Sequence, residues 1–429
     1  MNLRRRFLAL TSNAYALRLA SVALPGLGLA GKAQAQSVPH SGAVASANAD
    51  GSIPAYTGGL MKPPAGYSPE KGYIDPFAQE KPIFTVTAAN ADQYKDLLSV
   101  GSLTLLKKQP AFQMPVYKTH RTAGLPDAAK KTVVHPSPKT GEEAMANFLN
   151  RYAGGGFDRE YSWFPVRANG DFYRVGYTDK VIYAENMTPA QTDTGLQFAF
   201  LSRYTAPSSL AGTIYMVHEF RDPMANPRAA WVYSPGQRRV RRAPDLAYDN
   251  VADGTEGMRV TDQYFAFNGA LDRYDWKLLG RKEMLVAYNT YKVGSKALKY
   301  SDIVRKGSAN SEHMRYEKHR VWMVEATLKS GSKHIYGKRV FFLDEDSWMI
   351  LQEDCYDTRG DIWRVGIHGF IQVYDQGVPW YSIQMWHDLS NGNVLISHLD
   401  NEVKKPIEFG VKASWASFQT DALRRLGTR

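Results

Sequence analysis

The chain has 429 residues, 44% of them hydrophobic and 12% aromatic, with a formal net charge of +11. That apolar content supplies a large core and excludes an intrinsically disordered chain. The single cysteine, Cys355, excludes an intramolecular disulfide, so the fold must be held by packing.

The chain opens with Arg4, Arg5 and Arg6, then an apolar run interrupted by Arg18 and ending near Leu29, then Ala33-Gln34-Ala35. This is the layout of a signal peptide cleaved after Ala35, which assigns residues 1–35 to a leader and the mature protein to the periplasm of a Gram-negative envelope. Arg4-Arg5-Arg6-Phe7-Leu8 also fits a twin-arginine leader, so both export routes stay open. The apolar run is far shorter than the roughly 20 residues of a spanning helix. The leader holds five basic and no acidic residues; 53 less five leaves 48 basic against 42 acidic, or +6 for the mature chain. That balance suits anionic headgroups or an anionic partner, and equally a solvated surface. Nothing points to nucleic acid: there is no zinc-finger or helix-turn-helix spacing and no basic run interleaved with aromatics.

Residues 36–140 hold twelve of the 22 prolines. Proline removes ladder donors and blocks helix interiors, so this stretch is expected as extended chain and turns packing on the main body. One helix is expected at 90–107, carrying Tyr94, Leu97, Leu98 and Leu105. Residues 141–429 form the main domain. In 142–152, Met145, Phe148, Leu149 and Tyr152 share a helical face. Thr188-Pro189 predicts the start of a helix at 188–204 carrying Leu196, Phe200 and Leu201. A last helix starts at Thr420 and holds Leu423 and Leu426. The rest reads as antiparallel β: 212–220, 229–233, 238–242, 276–286, 320–328, 333–344, 348–356, 361–373, 380–389 and 394–399. Turn residues Pro235-Gly236, Ser330-Gly331-Ser332, Arg359-Gly360 and Asn391-Gly392 link them. Without strand-helix-strand alternation, a parallel sheet is not expected. Arg339 to Leu343 (RVFFL) is apolar on both faces, which requires cover on both sides or a curved sheet around a cavity.

Several segments are distinctive: WVYSPGQRRVRRAPDLAYDN and NGALDRYDWKLLGRKE at 231–283, NADGSIPAYTGGL, DPFAQEKPIFTVTAANADQY, RYEKHRVWMVEATLK, HIYGKRVFFLDEDSW, YDTRGDIWR, VPWY and DALRRLG. With these the chain resembles the periplasmic outer-membrane lipoprotein-sorting-like proteins of domain of unknown function 1329, within the LolA/LolB-like carriers. The resemblance spans nearly all of the mature chain. It implies an antiparallel half-barrel closed by helices around an apolar pocket, with the proline-rich segment as an N-terminal extension. The helices at 142–152 and 188–204 are then the lid. It also implies lipid or lipoprotein handling near the outer membrane. A resistance-nodulation-division type transporter or an outer-membrane protein is the implied partner. The chain is far longer than the simple lipoprotein carriers, so another lipid-like cargo fits equally.

Catalytic signatures are missing: there is no Gly-x-Ser-x-Gly elbow, P-loop, dinucleotide fingerprint or His-Glu-x-x-His. No cofactor is implied and no enzyme is expected. His313, His319 and His334 lack ligand spacing and read as surface histidines. Asp344-Glu345-Asp346 reads as a solvated turn, since it lacks the spacing of a calcium loop. Cys355, beside Glu353, Asp354 and Asp357, reads as a structural thiol. In the strand at 238–242, Arg239 and Arg241 share one face and Arg238, Val240 and Arg242 the other. These arginines either meet an anionic headgroup or partner at a cavity rim, or guard an edge strand and pair with Asp245, Asp249, Asp272 or Asp275. Aromatics line pockets for amphiphiles, and also fill cores. The candidates for cavity lining are Trp231, Tyr233, Trp276, Trp322, Tyr336, Phe342, Trp363 and Trp386. The function expected is a non-catalytic carrier of a hydrophobic molecule, with an accessory subunit of an envelope transport complex as the alternative.

Overall fold

A computed structural model describes residues 39–427 apart from Asp245, so the expected leader and any role of Asp245 lie outside the described residues. Two short strands, β1 (Phe84–Val86) and β2 (Met114–Val116), come from the proline-rich segment. A meander follows: β3 (Gly156–Val166), β4 (Val175–Tyr183), β5 (Leu196–Ala206), β6 (Ile214–Phe220), β7 (Ala229–Ser234) and β8 (Arg239–Arg242). A second meander holds β9 (Tyr274–Ala287), β10 (Tyr316–Leu328), β11 (Lys338–Asp344), β12 (Ile350–Tyr356), β13 (Ile362–Val373), β14 (Val378–Asp388) and β15 (Val394–Leu399). The short β16 (Glu408–Phe409) adds to β3. β15 pairs antiparallel with β3, which joins both meanders into one 16-stranded sheet. Its order is β1-β2-β10-β11-β12-β13-β14-β15-β3-β4-β5-β6-β7-β8, with β9 along β10. The chain is thus mainly antiparallel β in an open, curled sheet with few helices.

All ten expected strands are present, and the Gly-containing turns lie in the links β7–β8, β10–β11, β12–β13 and β14–β15. The doubly apolar strands are covered on both sides. Every residue of β14 and β15 is buried. On one face, Ile367, Ile383, Met385 and Ile396 pack with Leu105 and Leu106 of helix α1 (Val100–Lys108). On the other, Phe370, Trp380 and Tyr381 join a core that includes Met145 and Phe148 of helix α2 (Gly141–Leu149).

Three local expectations need correction. The helix at 90–107 is divided into a 3-10 turn, Ala91–Leu97, and α1. Ser99 sits between them and caps α1, its side chain accepting from the Ser102 amide. Gly101 belongs in the first turn of α1 because a Cβ there would lie 2.3 Å from the Asp354 carboxylate. The helix expected at 188–204 does not form. Thr188 lies in a two-residue bridge to Ser414, and β5 occupies Leu196–Ala206. Leu196, Phe198, Phe200, Ser202 and Tyr204 alternate as its buried face, so period-two burial between two partner strands overrides the Thr-Pro start signal. Finally, helix α3 (Thr420–Gly427) buries Leu423, while Leu426 remains 39% exposed.

Candidate functional site

The sheet holds a cavity of about 270 Å³. Its walls come from β3, β14, β15 and β16, from the segment around Tyr291, and from the N-terminal extension at Tyr67 and Tyr73. The extension is fastened by rings: Tyr67 and Tyr73 stack at 5.6 Å, and both meet Tyr374 edge-on at 5.0 and 5.3 Å. The Tyr67 hydroxyl donates to Asp375 at 3.0 Å. Burial and Asp375 push that phenol up to about 12. Trp380, Tyr381, Ile371, Ile407 and Phe409 supply most of the remaining aromatic and aliphatic wall.

Polar groups reach this cavity from one row of residues. On β3, Phe157, Arg159, Tyr161 and Trp163 alternate on the inward face. Arg159 is opposite Asp179 on β4, and Asp179 is opposite Ser202 on β5. Arg159 Nη2 donates to Asp179 Oδ2 at 3.0 Å, Ser202 donates to Oδ1 at 2.5 Å and the Tyr264 hydroxyl donates to Oδ2 at 2.9 Å. The guanidinium lies 3.9 Å from the centre of the Tyr161 ring, and its Nε has no partner. Among the described residues the Tyr161 hydroxyl makes no hydrogen bond of standard geometry, though it lies near the Asp179 carboxylate. Burial and Asp179 raise the Tyr161 phenol well above its ordinary range, so it stays protonated.

The third polar group enters by a change of register. Between the pairs Ile396–Phe164 and Leu399–Ser162, β15 has Ser397 and His398 where β3 has only Trp163. Such a bulge re-aims a side chain. His398 takes a left-handed backbone, φ 70°, and lines the cavity with its ring 5.1 Å from Tyr161. Nδ1 lies 3.3 Å from the Ser397 hydroxyl, while Nε2 is buried without a partner. Burial, then the charges of Arg159 and Arg259, hold the imidazole well below its ordinary pKa and therefore neutral. Among the described residues no carboxylate contacts His398, so the group lacks the orienting acid of a nucleophile-activating triad.

The space beneath α2 differs. Phe265 and Phe267, from the link after β8, pack there with Met145, Phe148 and Trp276, leaving a crevice of about 20 Å³. The only helix expected at 188–204 is a strand, so α2 covers this side without a second lid helix.

None of the eight aromatics selected from sequence lines the 270 Å³ cavity. Trp276, Phe342 and half-buried Trp322 belong to the core beneath α2; Trp322 stacks on Trp348 at 5.8 Å. Half-buried Trp231 and buried Tyr233 pack near α3. Tyr336 and Trp363 pack around Cys355, and Trp386 donates from Nε1 to Glu353 at 2.8 Å. Arg239, Arg241 and Arg242 are exposed on β8, the edge of the sheet, and Arg238 is exposed in the turn before it, with φ 51°; none of the four lines the cavity. Arg242 covers Trp231 at 4.8 Å. Two of the acids offered as their partners are engaged elsewhere: Asp249 pairs with Arg273 at 3.7 Å and Asp272 accepts from Tyr248 at 2.8 Å.

His319 and His334 are buried, not surface residues, as are Asp344, Glu345 and Asp346, which are therefore no solvated turn. Two covers account for this: the N-terminal extension lies over Asp346 at one end of the paired β10 and β11, and at the other end His334 packs on Tyr274 and meets Asp262 at 3.1 Å. His319, Asp344 and Asp346 bring ligand-type atoms within 4.8 Å of one another. Most of their polar atoms are engaged internally, Asp344 Oδ1 excepted. Arg121 chelates Asp346 at 2.6 and 2.9 Å, Glu317 meets His319 Nε2 at 3.0 Å, and Ser347 and Tyr288 donate to Asp344 at 2.5 and 3.1 Å. A cation would sit beside the Arg121 charge, so the cluster reads as a fastener for the extension. Burial and Asp346 push the Asp344 carboxyl up to about 6. Cys355 is fully buried, and burial and Glu353 raise its thiol far above the reactive range.

The family model described as "Protein of unknown function (DUF1329)" matches residues 85–135 and 127–424. The uncharacterized protein PA3922 of Pseudomonas aeruginosa is 41% identical over 415 residues, covering 90% of this chain and 91% of its own. Two crystal structures are similar at lower identity. A DUF1329 family protein from Desulfovibrio piger is 15% identical with a TM-score of 0.46, covering 66% of this chain and 97% of its own. The LolA superfamily protein NE2245 from Nitrosomonas europaea is 13% identical with a TM-score of 0.36, covering 61% and 91%.

Proposed function

The chain belongs to the DUF1329 family, and from that premise we propose that it is a non-catalytic periplasmic carrier for a lipid, a lipoprotein acyl chain or another hydrophobic molecule. The observation that carries this reading is the 270 Å³ cavity, in which aromatic walls converge on a few fixed polar atoms. That combination is what small amphiphiles bind. It exceeds the roughly 150 Å³ apolar cavity that holds benzene in an engineered core. Binding energy comes from burial, at roughly 25 cal/mol per Å² of apolar surface. The segment 1–35 acts as the export leader. The exposed arginines of β8 serve as a docking edge for an envelope partner, either a resistance-nodulation-division type transporter or an outer-membrane protein.

The filled interior beneath α2 favours a second reading, an accessory subunit of a transport complex without cargo. One experiment separates the two. The mature protein is purified gently from the periplasm, and its mass is measured intact by native mass spectrometry. A co-purifying lipid or lipidated peptide is the expected result. A protein that is empty, and stays empty after exposure to membrane extract, sinks the carrier reading and leaves the accessory subunit.

A further inference from the structure

Resting on the carrier reading, we propose that the cavity selects a single-chain amphiphile with a monoanionic carboxylate head, held by Arg159, Tyr161 and His398. Three polar atoms that lack a hydrogen bond of standard geometry among the described residues belong to side chains of this wall: Arg159 Nε, the Tyr161 hydroxyl and His398 Nε2. Their residues are 4%, 1% and 4% exposed, so solvent does not satisfy them. Each buried polar atom left unpaired costs roughly 1–3 kcal/mol, and a site that leaves three together stores a preference for whatever pairs them. Arg159 Nε is a donor. The Tyr161 phenol is protonated and donates. His398 Nδ1 and the Ser397 hydroxyl pair at 3.3 Å; we assign the hydroxyl as donor there, which puts the imidazole proton on Nε2 and makes it the third donor. Three donors facing one space call for an acceptor-rich head.

The charge balance fixes the sign and size of that head. Arg259 is buried behind the wall, on the rings of Trp163 and Trp386, at 5.3 and 5.8 Å. It makes no ion pair among the described residues, and its Nε and Nη1 lack partners. Arg159 and Arg259 against Asp179 leave one net positive charge in a dry region, which a monoanion cancels and a dianionic phosphate overshoots. Of the four carboxylates that line the cavity, Glu160, Asp400 and Glu408 are paired with Arg174, Lys296 and Lys405 at 3.8, 3.2 and 3.6 Å, and the fourth, Asp375, accepts from Tyr67 and has no ion pair among the described residues. The alkyl chain then lies along Trp380, Ile371 and Phe409.

Isothermal titration of the delipidated mature protein with octanoate, octanol and octyl phosphate tests this. The expected result is that octanoate binds about tenfold or more tightly than octanol, the yield of one charge-assisted hydrogen bond, and more tightly than octyl phosphate. Tyr161→Phe is the decisive variant, because it deletes only the hydroxyl and keeps the ring beside Arg159. It should lose about tenfold in octanoate affinity, leave octanol unchanged, and keep or raise the thermal midpoint. A merely structural hydroxyl would instead lower the midpoint and spare binding. Arg159→Met, if folded by circular dichroism, should abolish the preference for octanoate over octanol. Equal binding of octanoate and octanol, undisturbed by Tyr161→Phe, overturns the head-group assignment and leaves the carrier reading standing. Tightest binding of octyl phosphate overturns the monoanion argument alone. No binding of any of the three counts against the carrier reading as well.

Discussion

Arg339 and Arg159 are both fully buried on the same sheet, and their surroundings differ in one decisive respect. Arg339 meets two carboxylates, Asp262 at 3.1 Å and Glu353 at 2.9 Å, and His334 pairs with Asp262 at 3.1 Å. Arg159 meets one, Asp179, which already serves Ser202 and Tyr264. Each guanidinium leaves Nε without a partner. Aromatic rings flank both guanidinium groups, Phe267, Tyr336 and Phe341 at Arg339 and Phe157, Tyr161, Phe265 and Trp380 at Arg159, but Arg159 also lines the 270 Å³ cavity and Arg339 does not. A buried cation with more carboxylate than charge is a fastener. A buried cation matched by a single carboxylate that two hydroxyls share, beside open space, is half of a binding site.

The largest effect that can test this contrast is Arg339→Met. It strands Asp262 and Glu353 in the interior and should cost about 3–5 kcal/mol in a denaturant titration. Arg159→Met should cost less, about 2 kcal/mol, because Asp179 keeps two hydroxyl donors. Equal costs for the two variants would break the comparison.

Acid should act next. Burial lowers His368 and His387 to about 3, and His398 well below 6.5. Below pH 6.5 the unfolded chain binds these three protons and the folded protein does not, so stability falls with pH. Asp344 and Asp354 run the other way. Burial raises both from 3.8 to about 6, so between those values the folded protein binds two protons the unfolded chain does not. His40, His218 and His313 are lowered as well, and Asp75, Glu219 and Glu345 are raised, so six histidines stand against five carboxyls and stability should fall as the pH drops from 6 to 4. Denaturant titrations across that range check the slope; a flat or rising profile would mean that the histidines are not buried neutral. The smallest effect belongs to Ser99→Ala, which removes the α1 cap and a donor to Asp354 at 2.9 Å. About 1 kcal/mol of stability should be lost, with octanoate binding intact.

The same contrast explains what could be read in the sequence. The ten strands from β6 to β15 were legible because apolar runs there end in Pro-Gly, Arg-Gly and Asn-Gly turns. β3, β4 and β5 were not, because a polar row crosses them: Arg159, Asp179 and Ser202 sit in register on an inward face and interrupt the apolar alternation. The interruption is the site. The available signal was Phe157-x-Arg159-x-Tyr161-x-Trp163, an arginine in phase with three aromatics. His398 lay within an expected strand, yet its aim depends on a bulge opposite Trp163, which only strand pairing reveals. The aromatics chosen from sequence were selected by size, and size alone does not separate a cavity wall from solid packing.

The most direct measurement is photo-crosslinking of the mature protein with a diazirine-bearing fatty acid, with the labelled residues mapped by mass spectrometry. The account predicts labels on Tyr67, Tyr73, Ile371 and Phe409, which line the cavity beside Arg159. Labels concentrated on Leu149, Val181 and Phe198 would place the ligand in the crevice beneath α2 and contradict it.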